Sequence, residues 1–346
     1  MPPPDEVCYG TVVADTLRLR SDPTTGATVI GGLRAGQRVR ILEARLVGEN
    51  EWARVITSDD VGGWAASWYQ GAEFIRYDYT DECLVIQYGD GPQALLVGPH
   101  LLFNANGGAL APLLAASSVV KEVSGDGKLL AHARALNPKV VTIYRHTNDC
   151  PPDWMDGRQW FNTVAPGWPA GATWYEPQNE CGETSRGYSN AFQIELMQAA
   201  NEAGKCLLLY AFSVGTPSVE FFAQTGPVWD WALKHPCQPG RHHALAWHNY
   251  TLGLDWLDRW VFQGWRLRCD ALPGYCERVG VWFTEWGAYD AEDQPIDCAR
   301  EVRNVELAQL EYKNTAIRGV LLWNFGALAP WRDLTPCAGA LAGAVG

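Results

Sequence analysis

The chain has 346 residues, enough for a barrel of about 250 residues and one further small domain. A net charge of −12 argues against nucleic acid and anionic membrane as partners and suits a neutral ligand such as a glycan. No apolar run approaches the roughly 20 residues of a membrane span, so no membrane insertion is expected, and Met1-Pro2-Pro3-Pro4-Asp5 has neither the basic nor the apolar region of an export signal.

Residues 1–7 read as the remnant of a linker, with Met1 a start left after removal of an export signal. Residues 8–78 read as one all-β unit. Leu17, Leu19, Val29, Leu33, Val39, Ile41, Trp52, Val55 and Trp64 alternate between turn signals such as Gly31-Gly32 and Gly62-Gly63. The runs Leu17-Arg18-Leu19-Arg20-Ser21-Asp22-Pro23, Leu33-Arg34-Ala35-Gly36-Gln37-Arg38-Val39, Trp52-Ala53-Arg54-Val55 and Gly63-Trp64 resemble a bacterial Src-homology-3-type domain. That resemblance implies a small barrel that binds a cell-wall or other extracellular polymer, or serves only as a structural appendage.

Residues 79–99 read as a connecting hairpin, Cys83–Tyr88 and Gln93–Val97 flanking Gly89-Asp90-Gly91. From 100 to 336 strand and helix patterns alternate. The strands are Leu101–Asn104, Val119–Val123, Val140–Tyr144, Trp174–Glu180, Cys206–Phe212, Ala244–Asn249, Val281–Glu285 and Gly319–Asn324. Helices fall at Lys128–Leu136, stopped by Asn137-Pro138, at Ser189–Ala203, stopped by Gly204, and around Glu301–Asn314. Eight such repeats predict a (β/α)8 TIM barrel following the Src-homology-3-like unit. Residues 337–346 are rich in small side chains and read as a disordered tail.

None of the ten cysteines forms a Cys-x-x-Cys pair, and His242-His243 lacks a third ligand at metal spacing and reads as a surface loop. No metal and no cofactor is expected. An even count at scattered loop positions favours disulfides and an oxidising compartment. Cys269 and Cys276 flank a turn-rich loop that a bridge could close. Cys150 and Cys181 follow strand ends on the same face. Cys206 opens an apolar strand and reads as a buried free thiol.

In such barrels the active site lies at the C-terminal strand ends. Those ends carry Asn104, Lys121, Arg145 with His146, Asn179 with Glu180, His248 with Tyr250, Glu285 beside Trp286, and Trp323 with Asn324. Charges at the end of a buried strand need a partner or a task. Glu180 and Glu285, on the fourth and seventh strands, suggest a pair converging at the barrel mouth. Glu176 is the nearest rival to Glu180, and strand parity does not exclude it.

Asn179-Glu180, His248-Asn249-Tyr250, Glu285 and Trp323 together resemble glycoside hydrolase clan A, over residues 100–335. The resemblance implies a retaining glycosidase with Glu180 as acid/base and Glu285 as nucleophile. It further implies that Asn179 holds a sugar 2-hydroxyl, that Tyr250 hydrogen-bonds the nucleophile, that His248 binds substrate, and that Trp323 floors the cleaved sugar. Two departures stand out. Cys181 occupies a position where the clan often has Pro, and Arg145 lies later than the clan's arginine, with Lys121 as a substitute. A retaining mechanism needs carboxyls about 5–5.5 Å apart, one protonated and one ionised. Mutual repulsion and apolar walls from Trp174 and Trp286 would raise the acid's pKa.

The expectation is a secreted, monomeric retaining β-glycosidase acting by double displacement, endo-acting on a polysaccharide or oligosaccharide. A peptidoglycan glycan hydrolase and a non-catalytic glycan-binding barrel stay open as alternatives. Seventeen tryptophans suit a glycan partner, since indole packs on sugar C–H faces, although core packing explains many of them. Trp154, Trp160, Trp168, Trp256, Trp260 and Trp265 lie in loops that could line subsites.

Overall fold

A computed structural model of the protein describes residues 8–47, 50–69, 72–77, 95–146, 149–239, 241–251, 259–288, 296–312, 315–326 and 333–345. The chain divides into two compact units, Met1–Gln93 with Leu233–Arg241, and Ala94–Ala232 with His242–Gly346.

In the first unit, strands β1 (Tyr9–Val12), β2 (Thr16–Arg20), β3 (Val29–Arg34), β4 (Arg38–Val47), β5 (Asn50–Ile56), β6 (Gly62–Tyr69), β7 (Ala72–Glu73) and β8 (Ile75–Tyr77) form one antiparallel sheet. Its order is β3-β2-β6-β5-β4-β1-β8, with β7 paired to β6. Period-two alternation puts Leu17, Leu19, Leu33, Val39, Ile41, Trp52, Val55 and Trp64 into a core of its own. Val29, on the edge strand β3, is the member of the alternating set left outside, 49% exposed. Most of the expected hairpin at 79–99 lies outside the described residues.

The second unit is built on eight parallel strands. They are β9 (Leu96–Leu102), β10 (Val119–Val123), β11 (Val141–Arg145), β12 (Trp174–Glu176), β13 (Leu208–Phe212), β14 (Ala244–Thr251), β15 (Val281–Ala288) and β16 (Ile317–Phe325). The order β12-β11-β10-β9-β16-β15-β14-β13 leaves β12 and β13 at its ends. A parallel bridge between Tyr175 and Leu207, with Tyr175 N–H donating to Cys206 O at 3.0 Å, joins them and closes the barrel. Closure removes sheet edges and puts all eight C-terminal strand ends in one ring.

Several local expectations are corrected. The first barrel strand begins at Leu96, inside the segment assigned to a hairpin. There Gly98 is required, because a Cβ would stand 1.6 Å from Val119 O. Strand four stops at Glu176, since Pro177 has no N–H for the ladder. The small-residue tail is a helix, Ala338–Val345, with Leu341 buried and Cys337 bridged to Cys298. Ala and Leu are strong helix formers, and the bridge anchors the helix at its start. His243 is buried rather than on a surface loop. Leu207 N–H donates to its Nδ1 at 3.0 Å, so its Nε2 donates to Asn201 Oδ1 at 2.8 Å. Burial pushes His243 down to about 3, which keeps it neutral. Cys206 is in a disulfide, and no described cysteine is free. The bridges Cys150–Cys181 and Cys269–Cys276 form as expected.

Outward-facing Glu122 on β10 does what the cap of helix Lys128–Leu136 cannot. The helix starts at Gly127, which has no capping side chain. Glu122 Oε1 accepts from Gly127 N–H and Oε2 from Leu130 N–H. Its inward neighbour, Lys121, belongs to the site below.

Candidate active site

Three tiers of side chains fill the barrel toward its C-terminal end. In the lowest, Trp174 and Trp282 meet across the interior with ring centroids 5.9 Å apart. Both are buried.

The middle tier is a buried charge cluster. Glu176 Oε1 accepts from Lys121 Nζ at 2.8 Å and Arg145 Nη1 at 2.9 Å. Lys121 also donates to Thr284 O at 3.2 Å. Lys121 is therefore enclosed by protein, not presented to a ligand as a substrate contact. Burial and the neighbouring Arg145 bring the Lys121 ammonium down to about 8. Burial would raise Glu176, but Lys121 and Arg145 hold it well below the usual carboxylate range. The rivalry between Glu176 and Glu180 is thus decided by surroundings: Glu176 is locked between two cations, while Glu180 reaches the mouth.

Arg145 couples the middle tier to the top one. The same Nη1 lies 2.7 Å from Glu285 Oε1 and donates to Asn179 Oδ1. It therefore orients a strand-seven carboxylate and the amide beside Glu180 at once. With its oxygen occupied, Asn179 has its NH2 group left to donate.

In the top tier, His248 stands between the acids. Its Nδ1 donates to Glu180 Oε1 at 2.7 Å and lies 3.6 Å from Glu285 Oε2, while Nε2 lies 3.8 Å from Glu176 Oε1. Tyr250 OH donates to Glu180 Oε1 at 3.0 Å, so this tyrosine serves Glu180 and not Glu285 as expected. Its ring stacks on half-buried Trp323, centroids 5.1 Å apart at 26°. One ligand atom each from Glu180, His248 and Glu285 lie within 4.8 Å of one another.

The electrostatics reverse a further expectation. Burial pushes Glu180 up, but hydrogen bonds from His248, Tyr250 and Ser213 bring it down to about 2. Burial likewise raises Glu285, and His248, Arg145, His100 and Lys121 bring it down to about 2. Burial lowers His248, yet attraction to Glu285 and hydrogen bonds to Glu176 and Glu180 leave it raised. Both carboxylates are ionised near neutrality, and their charge favours a proton on His248. Cations buried beside the acids outweigh the mutual repulsion that the sequence suggested.

Two predicted residues stand apart. Trp286 faces outward from β15, buried, its Nε1 donating to Tyr312 OH at 3.3 Å. Asn104 is exposed beyond β9, and no hydrogen bond among the described residues ties it to the acids. Two contributors were missed. His100 on β9 is buried, its Nδ1 3.2 Å from Thr284 O and 4.0 Å from Glu285 Oε1. Burial and Lys121 hold it well below the ordinary histidine value. Its signal was a lone histidine inside Leu-Val-Gly-Pro-His-Leu-Leu. Ser213, which hydrogen-bonds Glu180 and Tyr250, directly follows strand five, whose exit was passed over.

Of the loop tryptophans, Trp160 donates to Pro177 O at 2.8 Å, Trp168 stacks on Tyr175 at 4.7 Å, and Trp265 is buried. Trp154 is exposed. Trp256 and the side chain of Trp260 lie outside the described residues.

Residues 15–69 match the family model described as bacterial SH3 domain. The N-terminal unit is a bacterial SH3 domain. No curated protein is similar to the chain in sequence. Among solved structures, XacCel5A in complex with cellopentaose is 12% identical, over 72% of this chain and 99% of that one, with a TM-score of 0.47. A β-mannanase from Streptomyces thermolilacinus with mannohexaose is 14% identical, over 71% and 83%, with a TM-score of 0.44. A β-glucuronidase from an uncultured Clostridium sp. is 8% identical, over 99% and 64%, with a TM-score of 0.45. Among the described residues no helix is long and apolar enough to cross a membrane.

Proposed function

We propose that the protein is a retaining β-glycosidase of the clan A type, working by double displacement on a polysaccharide or oligosaccharide. The observation that carries this reading is the approach of Glu180 and Glu285 to within 4.8 Å around His248 at the C-terminal mouth of the barrel. That spacing suits direct attack on an anomeric carbon, for which carboxyls lie about 5–5.5 Å apart. It is shorter than the about 6.5–9.5 Å at which an inverting enzyme holds its carboxyls around a water, which favours the retaining course.

The surroundings divide the roles. Glu285 has a side chain only 7% exposed and is held ionised by Arg145, as a nucleophile must be. Glu180 is 27% exposed and accepts a proton-bearing hydrogen bond from His248. A leaving group, and later a water, can reach it. The proton passes along the His248–Glu180 hydrogen bond to the departing oxygen as Glu285 attacks. Before transfer, Glu176, Glu180 and Glu285 balance Lys121, Arg145 and protonated His248. Afterwards the cluster is one unit negative, which stabilises the oxocarbenium-like transition state. Glycosylation then removes the charge on Glu285, and the Glu180–His248 pair can draw the proton from water. The Asn179 NH2 group donates to the sugar 2-hydroxyl, and Trp323, braced by Tyr250, floors the sugar.

The test is Glu285→Ala with azide. Turnover of a β-glycoside should vanish and return with azide as the α-glycosyl azide. Retained activity without azide overturns the assignment. Endo action, a monomeric state, an extracellular location and independence from cofactors belong to the same reading, and the disulfides suit an oxidising compartment. The SH3 domain favours one second reading, hydrolysis of cell-wall glycan with that domain holding the polymer. Release of muropeptides from peptidoglycan would select it.

A further inference from the structure

Among the described residues no large apolar side chain is more exposed than Trp154, at 71%. It stands in a turn closed by Met155 N–H donating to Pro152 O at 2.9 Å, in the loop leaving strand β11. This is the barrel end that carries Glu180 and Glu285.

The turn is held on every side. Four residues before Trp154, Cys150 is bridged to Cys181, the residue that follows Glu180. Asp153 binds Arg186 twice: its Oδ1 accepts from Arg186 N–H at 3.4 Å and its carbonyl accepts from Nη1 at 3.2 Å. Asp156 starts helix Gly157–Val164 with a reciprocal cap, accepting from Gln159 N–H at 2.7 Å and donating to Gln159 Oε1 at 3.0 Å. Pro151 packs against Gly187, where a Cβ would meet Pro151 Cγ at 2.6 Å.

The indole at the tip takes no part in this fastening. Trp160 and Trp168, from the same segment, supply its apolar packing. A pinned backbone holds a flat apolar ring in water, where burying it would be favourable. A four-residue span reaches at most about 14 Å from Cys150. Across the bridge, whose Cα atoms are 5.6 Å apart, Trp154 thus lies within about 23 Å of Glu180, a span of a few sugar units along a glycan chain. Phe103, 61% exposed just past β9, adds a second aromatic at this end.

We propose that Trp154 is a stacking platform for a distal sugar of a β-linked pyranose chain, a glucan or mannan whose ring C–H face lies on the indole. The binding claim stands by itself; its place in catalysis rests on the proposed roles of Glu180 and Glu285.

The experiment titrates the whole chain, wild type, Trp154→Phe and Trp154→Ala, with cellohexaose and separately with mannohexaose, by calorimetry. A flat ring on a sugar face contributes enough that the alanine variant should bind the preferred hexaose about 10-fold more weakly, with phenylalanine in between. The ratio of kcat/KM on that hexaose to kcat/KM on its aryl monoglycoside should fall by about the same factor. Unchanged affinity and ratio in Trp154→Ala overturn the proposal. So does failure of both hexaoses to bind wild type, or an equal loss on both substrate sizes with a lowered Tm. Hexaose binding that depends on Trp154 in a chain inactive on every glycoside upholds the platform and defeats the catalytic reading instead.

Discussion

Replacing Lys121 by methionine probes the buried charge cluster most directly. Lys121 and Glu176 are both fully enclosed and their charged atoms are 2.8 Å apart. At an effective dielectric of about 20 their attraction is about 6 kcal/mol, most of it offset by desolvation. Removing one partner is a different matter, because Glu176 stays ionised and buried with Arg145 alone. Breaking such a pair costs about 3–5 kcal/mol. In a barrel of this size each kcal/mol moves the midpoint by about 2–4 °C, so Lys121→Met should lower Tm by about 6–20 °C. Adding Glu176→Gln, which keeps the shape without the charge, should recover more than half. Arg145 Nη1 serves Glu176 and Glu285 at 2.9 and 2.7 Å. In the single variant Glu176 competes harder for it, and kcat should fall with KM within about 2-fold. Thermal unfolding followed by circular dichroism, together with steady-state kinetics, reads both. A Tm within about 2 °C of wild type, or a large rise in KM alone, would refute this account and return Lys121 to the substrate.

Glu180→Gln should slow glycosides with poor leaving groups far more than activated aryl glycosides; equal damage would mean that Glu180 is not the acid. Glu180 and Glu285 lie at about 2 against an ordinary 4.5, so their contribution to stability is complete above 4.5 and lost as pH falls toward 2. Tm should drop steeply across that window, and a flat profile would contradict the ion pairing. His248 is raised, so its contribution is complete below the ordinary 6.5 and lost as pH rises through its folded value; activity should decline as pH rises through that same value. The Cys150–Cys181 bridge spans 31 residues and pins the neighbour of Glu180, whose φ is +47°. Cys150→Ser with Cys181→Ser should cost about 3–4 kcal/mol and harm poor leaving groups most. A lower Tm with equal kinetic loss on all leaving groups would make the bridge merely structural.

Much of the architecture was legible because its signals are local. Alternation placed eight of nine core positions of the SH3 unit, and edge position explains the exception, Val29. Strand and helix periods located seven barrel strands and only the end of the first, which begins at Leu96 in the segment read as a hairpin, while Pro177 cut the fourth short where apolar character alone carried it to Glu180. Composition misled where contact supplied what composition lacked. The tail folds because Cys337 is bridged and Leu341 buried. Cys206 looked like a core thiol because nothing in its neighbourhood announces a distant partner. His243 looked exposed because its acceptor and donor, Asn201 and Leu207, lie far back in the chain.

Strand-end chemistry could be read one residue at a time: Asn179, Glu180, His248, Tyr250 and Glu285 do gather at one mouth. Which group faces which could not. Lys121 turns to Glu176 rather than to a ligand, Tyr250 to Glu180 rather than Glu285, and Trp286 away from the mouth altogether. Hydrophobic period specifies the elements because it acts between near neighbours in the chain. Charge pairing and ionisation were decided only by the closed barrel, which brings a lysine, an arginine, two histidines and three carboxylates from six separate strands and their ends into one desolvated space.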